Sequence, residues 1–168
     1  MSDRILEVDN LSVAFRGEEV VRNVSFTIDR GETVAIVGES GSGKTTLGMA
    51  LLRLIRSEGD ILLEGTNIQG LKASQMRQYR RDVQIVFQDP FGSLSPRLSI
   101  HQIVEEGLLV HEPQMSVEER REAVADILTE VGLDASALDR YPHEFSGGQR
   151  QRIAVARALI LKPKLVVL

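Results

Sequence analysis

At 168 residues the chain has the length of one domain and enough residues to bury a sizeable core. Apolar residues at 42% and charged residues at 26% are ordinary for a soluble globular protein, and 20 Lys and Arg against 24 Asp and Glu leave a formal net charge of −4. That mild acidity argues against a chain built mainly to grip nucleic acid or anionic lipid, and the lack of cysteine excludes disulfides, thiolate metal sites and cysteine nucleophiles. The opening Met1-Ser2-Asp3-Arg4 leads into no apolar core of a secretory signal. No apolar run approaches the roughly 18–20 residues that a membrane helix needs, so any membrane role would go through docking to another subunit.

Ile5–Val8 and Leu11–Phe15 are short apolar runs that read as strands, followed by a turn at Gly17-Glu18-Glu19. Val24–Ile28 alternates strictly and predicts a half-buried strand, which completes an antiparallel N-terminal patch. Thr33–Val37 is a near-continuous β-branched run, the pattern of a strand buried on both faces of a parallel sheet. A glycine-rich loop and a helix over Thr45–Leu54 follow, the opening of a βαβ unit. Asp60–Leu63 reads as a strand closed by Glu64-Gly65, Ser74–Arg81 as a polar helix and Val83–Phe87 as a strand. Gln88 to Ser99 holds Pro90, Gly92 and Pro96 and is a loop. Ile100–Leu109 and Val117–Val131 are helical and separated by Pro113, with Val117, Val124, Leu128 and Val131 on one face. Asp139–Glu144 is a polar loop, Gly147–Leu161 a helix broken by Pro163, and Leu165–Leu168 a buried parallel strand.

Gly38-Glu39-Ser40-Gly41-Ser42-Gly43-Lys44-Thr45 matches the phosphate-loop pattern in full. Each fixed position has a chemical reason. Glycines let the main chain turn tightly and approach phosphate oxygens where a Cβ would intrude. Successive N–H groups point at the anion, and the following helix adds its N-terminal donors and dipole. Lys44 is expected to reach the β- and γ-phosphates, and Thr45 to place its hydroxyl on Mg²⁺.

Phe145-Ser146-Gly147-Gly148-Gln149-Arg150-Gln151-Arg152 opens a second apolar-periodic helix. Adjacent glycines at a helix start weaken the helix. They serve either a second anion site made of main-chain N–H groups or a loosely entered, Ser-capped helix, and the residues alone leave both open.

Ser146-Gly147-Gly148-Gln149 resembles the signature motif of ABC transporter ATPases, about a hundred residues after the phosphate loop as in that family. Gln88 matches the family's Q-loop glutamine, and Phe15 sits where its adenine-stacking aromatic is expected. Val37–Lys44, Ile85–Pro96 and Arg140–Arg157 closely resemble the dipeptide, oligopeptide and nickel importer branch, in which Phe at position 145 is common. The resemblance covers essentially the whole chain.

The resemblance implies an α/β fold: a P-loop NTPase, RecA-like core with an antiparallel β region at 1–31, a phosphate-loop core at 32–88, an inserted helical subdomain at 89–145, and the signature helix and a further strand at 146–168. It implies ATP and Mg²⁺ as ligands. Phe15, Gly38, Ser40 to Thr46 and Ser146 to Gln149 would hold nucleotide, Lys44 and Gln88 would act in turnover, and Thr45 and Gln88 would hold metal. Two such domains would pair head to tail, and the segment around Pro90–Leu109 would dock on transmembrane permease subunits at the cytoplasmic face of the membrane. Nucleic acid is not an implied partner.

His101, His111 and His143 lack metal-ligand spacing and read as solvated or capping residues, with His143 also placed for a contact beside the signature. Glu118–Glu122 reads as a solvated helix face. Arg150 and Arg152 either support a neighbouring subunit's nucleotide or make structural ion pairs. The family pattern places an Asp for Mg²⁺ and a Glu for water activation after a strand like Leu165–Leu168, and a switch histidine later; the sequence contains none of them there. It therefore reads as a C-terminally incomplete ATPase that turns ATP over poorly or not at all. The expected function is the ATP-binding motor of an importer of peptides or a related small solute. The alternatives are a nucleotide-binding module without turnover and a soluble ABC ATPase outside transport.

Overall fold

The computed structural model describes residues 3–89 and 92–168, and these divide into two units, Met1–Gln78 and Tyr79–Leu168. Pro90, within the segment expected to dock on a permease, lies outside the described residues.

In the first unit the sheet order is β2-β1-β3-β4. Strands β1 (Arg4–Phe15) and β2 (Glu18–Asp29) form a long antiparallel hairpin; β3 (Glu58–Leu63) lies antiparallel along the other edge of β1, and β4 (Thr66–Asn67) follows it. The two strands expected over Ile5–Val8 and Leu11–Phe15 are one. Leu6 and Val8 are buried, then Leu11 and Val13, so the inward parity changes by one residue. A register shift lies between Val8 and Leu11, and Asn10 sits at φ 52. A bulge of this kind accommodates an extra residue without turning the following side chains away from the core. Gly59, at φ 99, packs against it: a Cβ there would stand 2.5 Å from the Asn10 carbonyl oxygen. The hairpin turn is Arg16-Gly17, not Gly17-Glu18-Glu19; both turn residues have positive φ, and Glu18 and Glu19 already pair with Phe15 and Ala14. Two-residue turns of that hand match the twist of the strands they join.

Helix α1 (Lys44–Leu51) buries Leu47, Ala50 and Leu51. It stops short of the expected Leu54 because Arg53, at φ 50, closes it: the Arg53 N–H donates to Ala50 O at 2.8 Å and the Leu54 N–H to Met49 O at 2.9 Å. The Arg53 guanidinium then donates to the Ile68 and Leu71 carbonyls at 2.6 and 2.8 Å, fixing the chain that leads to α2 (Ala73–Met76). Thr33–Val37 differs from expectation. No described strand pairs with it, and its residues are exposed, Val37 at 91%. A β-branched run favours extended chain, but it becomes a buried strand only where ladder partners and covering faces are supplied.

The second unit holds the parallel component. β5 (Val83–Ile85) pairs with β6 (Leu165–Val167), Val83 opposite Leu165 and Ile85 opposite Val167. Helices α3 (Ile100–His111), α4 (Val117–Glu130) and α5 (Gly147–Leu159) bury a shared core that includes Ile100, Val104, Val124, Leu128, Phe145 and Ile153. Val124 and Leu128 are buried as expected, but Val117 is 58% exposed, because it occupies the first position of α4, before the helix meets its neighbours. His101 is also a correction. It is buried on α3 with Nδ1 3.4 Å from Glu105 Oε1, while Arg120 Nε donates to Glu105 Oε2 at 2.9 Å. The apolar stripe of Ile100, Ile103 and Val104 carries His101 inward, and the Glu105–Arg120 pair keeps the buried carboxylate partnered.

The entry to α5 is held by Glu144. Its carboxylate accepts from the Tyr141 N–H at 2.7 Å, and Arg140 Nη2 donates to the Glu144 carbonyl at 2.9 Å with its guanidinium 4.3 Å from the Phe145 ring centroid. The Tyr141 amide first, and Arg140 second, hold the Glu144 carboxyl below its ordinary value of 4.5.

Gly59→Ala is expected to lower stability by more than ~1 kcal/mol, read as a lower urea midpoint, because both φ and the Asn10 carbonyl oppose a side chain. Because the folded Glu144 carboxyl titrates below its unfolded value, its contribution is present above pH ~4.5 and is lost as pH falls through the depressed folded value. Glu144→Gln is therefore expected to be less stable at pH 7 and to show a flatter stability profile below pH ~4.5, measured by urea unfolding across pH; parallel profiles would refute it.

Candidate functional site

The phosphate loop lies wholly in the first unit, between Thr33–Val37 and α1. Gly43 is the residue that caps α1, at φ 91 and ψ 7. A Cβ there would meet the Val20 carbonyl oxygen at 3.0 Å and Val20 Cγ1 at 3.3 Å, so both backbone angle and the neighbouring strand require glycine. Lys44 Nζ donates to the carbonyls of Gly38 at 2.9 Å and Glu39 at 2.6 Å and lies 3.4 Å from Ser42 Oγ. The lysine thus closes a ring with the loop that carries it. Gly38, Ser40, Gly41, Ser42, Gly43, Lys44, Thr45 and Thr46 are contiguous in this loop and helix turn, as expected.

The start of α1 differs chemically from those of α3, α4 and α5. Those three begin with Ser99, Ser116 and Ser146, whose hydroxyls accept from the N–H groups of Gln102, Glu119 and Gln149, and the Gln102, Glu119 and Gln149 side chains accept in return. α1 has no side-chain cap and no acidic residue in its first turn. Its donors are left for an anion that is not part of the chain. A cavity of about 420 Å³ adjoins the loop, lined by Val21, Val24 and Phe26 of β2, by Val34–Gly38 and by Ser42–Lys44 and Leu47. Its walls are mainly aliphatic, and the polar groups lie at the loop end. Phe15 ends β1, 47% exposed, and does not line it.

The remaining expected residues lie in the second unit. Gln88 is exposed and follows β5 just past the last ladder bond, from the Val86 N–H to Val167 O at 2.9 Å. Ser146 forms the capped-helix arrangement, with its hydroxyl accepting from the Gln149 N–H at 3.3 Å. Gly147 and Gly148 are exposed, have no positive φ, and a Cβ at either would meet nothing within 4 Å. Neither backbone strain nor packing within the chain calls for glycine there, although each costs about 1 kcal/mol relative to Ala inside a helix. Arg150 Nε donates to the Phe145 carbonyl at 2.9 Å and Arg152 Nη1 to the Gly132 carbonyl at 3.2 Å, so both support local main chain. His143 is exposed and stacks on Tyr141, ring centroids 5.9 Å apart.

The sequence reading passed over three features of this region: the Gly38 and Glu39 carbonyls as partners of Lys44, the approach of Val20 to Gly43, and the bond from Arg157 to Ser93. None has a local sequence signal, since each is a main-chain atom met through folding. The recurring Ser-x-x-Gln/Glu spacing at Ser99, Ser116 and Ser146 does have one and marks all three helix starts.

The family model described as ABC transporter matches residues 21–168. An uncharacterized ABC transporter ATP-binding protein, YejF of Escherichia coli K12, is 52% identical over 98% of this chain and 33% of its own length. The oligopeptide transport ATP-binding protein AmiF of Streptococcus pneumoniae is 47% identical over 99% of this chain and 56% of its own. The chain therefore spans about a third to about half of these curated relatives. Among solved structures, the dimeric bacterial ABC transporter cassette MJ0796 superposes with a TM-score of 0.87 at 32% identity, over 96% of this chain and 72% of that one. The cbiO1 protein of Clostridium perfringens, part of the cbiONQ transporter complex, gives 0.84 at 30% identity over 98% and 64%. Among the described residues no helix is long and apolar enough to cross a membrane. A phosphate loop with an uncapped helix behind it, a glycine-opened signature helix and these likenesses agree, and the chain belongs to the ABC transporter family.

Proposed function

We propose that the chain is the ATP-binding part of an importer's motor, coupling ATP binding and hydrolysis to uptake of peptides or a related small solute. The observation that carries this is the phosphate loop, where Lys44 folds over an α1 N-terminus that no side chain caps. The residues fit a nucleoside triphosphate with Mg²⁺: glycines where a Cβ would obstruct, a lysine, free helix N–H donors, no acid in the first turn, and the Thr45 hydroxyl as a hard oxygen donor. When bound, Mg²⁺ would neutralise charge on the phosphate oxygens. Lys44 would exchange its carbonyl partners for phosphate oxygens, a charge-assisted contact stronger than the one it leaves.

Gln88 is proposed as a metal or water ligand and Phe15 as an adenine platform. Ser146, Gly147, Gly148 and Gln149 are proposed to meet the nucleotide of a second ATP-binding domain, whose approach would account for the open space over both glycines. The peptide-transport relatives support permease subunits as partners, with the chain placed peripherally at the cytoplasmic face of the membrane.

Mg²⁺-ATP titrated calorimetrically into the purified chain is expected to bind, and Lys44→Ala to weaken binding at least ~10-fold, a loss of about 1.4 kcal/mol. Phosphate release measured in the same samples separates a motor from a binding module without turnover. A folded chain that binds no nucleotide, or binds it equally after Lys44→Ala, would overturn the proposal.

A further inference from the structure

Two adjacent glycines, Gly147 and Gly148, give the first turn of α5 more backbone freedom than any other pair of residues would. The reciprocal cap pairs the Ser146 and Gln149 N–H groups, not those of the two glycines. Glycine N–H groups offered to a ligand bind well only if they are ordered beforehand, because ordering them on contact subtracts from affinity. Order at this helix start has to come from the chain that leads into Ser146.

Two arginines, one on either side of Ser146 in sequence, hold that chain. Arg140 Nη2 donates to the Glu144 carbonyl at 2.9 Å, and Arg140 Nε lies 3.4 Å from Glu144 Oε1. The same guanidinium stands 4.3 Å from the centroid of the Phe145 ring, and Phe145 is buried. Arg150 Nε donates to the Phe145 carbonyl at 2.9 Å. The Glu144 and Phe145 N–H groups donate to Tyr141 O at 3.0 Å and Pro142 O at 3.2 Å, so both residues before Ser146 are paired at N–H and at carbonyl. The Arg140 main chain is fixed in turn: its carbonyl accepts from the Ile100 N–H at 2.9 Å and its N–H donates to Ala137 O at 3.1 Å. A planar guanidinium can cover an aromatic ring and donate to a carbonyl at once, which suits it to this place.

We propose that Arg140 is a positioning residue for the signature: it holds the Glu144 carbonyl and the Phe145 ring, so that the main chain enters Ser146 in one direction and Gly147 and Gly148 present ordered N–H groups. The role rests on the reading of Ser146–Gln149 given under the proposed function. Arg140 touches no ligand in this role and acts through Glu144 and Phe145. Phe145 belongs to the same device, since its ring gives the guanidinium a face that an aliphatic side chain lacks.

The test compares Arg140→Met, which keeps an apolar stem and removes the donors, with Arg140→Lys, which keeps a cationic donor, and with Phe145→Leu, which fills the core without a ring face. Backbone ¹⁵N order parameters and the pH titration of the Glu144 carboxyl are measured by NMR on the full chain, with its Mg²⁺-ATP affinity. In the parent chain Gly147 and Gly148 are expected near the rigid value of about 0.85; in Arg140→Met they fall below about 0.6 while Ile153–Leu159 stays rigid, and Arg140→Lys recovers part of the loss. Phe145→Leu is expected to lower the same two residues to a smaller extent. The Glu144 carboxyl, held low by the Tyr141 amide first and Arg140 second, is expected to titrate at higher pH in Arg140→Met than in the parent chain, a change that lost packing alone would not produce. Mobile glycines in the parent chain, unchanged order in Arg140→Met, a loss spread along all of α5, or a Glu144 titration that does not move would each overturn the proposal. Nucleotide affinity is expected to stay within about twofold in all three variants, since the phosphate loop is untouched. If the parent chain binds no nucleotide but order changes as stated, the function proposed above falls and the Arg140 clamp stands; nucleotide binding with no change in order gives the reverse result.

Discussion

An α-helix begins with N–H groups that the helix itself cannot satisfy, and α1 meets that constraint differently from α3, α4 and α5. Three helices answer it internally. The Ser99, Ser116 and Ser146 hydroxyls each accept from the N–H three residues on, and the Gln102, Glu119 and Gln149 side chains accept from the serine N–H in return. α1 answers with Gly43, which supplies no acceptor, and with a first turn free of carboxylates. The phosphate site proposed for α1 rests on what is omitted at this helix start as much as on what is present.

The same constraint clarifies the signature. Its Ser146 and Gln149 form an ordinary reciprocal cap, which pairs the Ser146 and Gln149 N–H groups without a ligand. The glycines between them add nothing to the cap and nothing to the packing. The outer pair caps the helix, and the inner pair leaves open space over its main chain. Of the two readings that the residues alone left open, the Ser-capped helix is present, and the second anion site belongs to the proposed function.

Legibility in the sequence tracked how local each cause was. The phosphate loop is legible as a motif, because its glycines, lysine and threonine stand together in sequence. The helices were legible from apolar spacing and proline breaks. The bulge at Asn10 was not, since an odd residue inside a strand looks the same in sequence as a gap between two strands; pairing with β2 and β3 decided it. Thr33–Val37 shows the opposite error. Its composition states a preference for extended chain, whereas a ladder is a property of neighbours, and no described strand supplies one. His101 followed Ile100 and Ile103 into the core because a helix face turns as a unit, which a search for metal-ligand spacing does not register.

The antiparallel register of β1 with β3 has a consequence for how the first unit assembles. β1 pairs with β2 through a tight turn, but with β3 only after the chain has passed through the phosphate loop and α1, bringing Leu6 opposite Leu63. Closing that excursion takes chain entropy that grows with the logarithm of its length, and the ladder compensates only once formed. The β1–β2 hairpin is the more local pairing, and the phosphate loop lies within the longer excursion that the β1–β3 ladder closes.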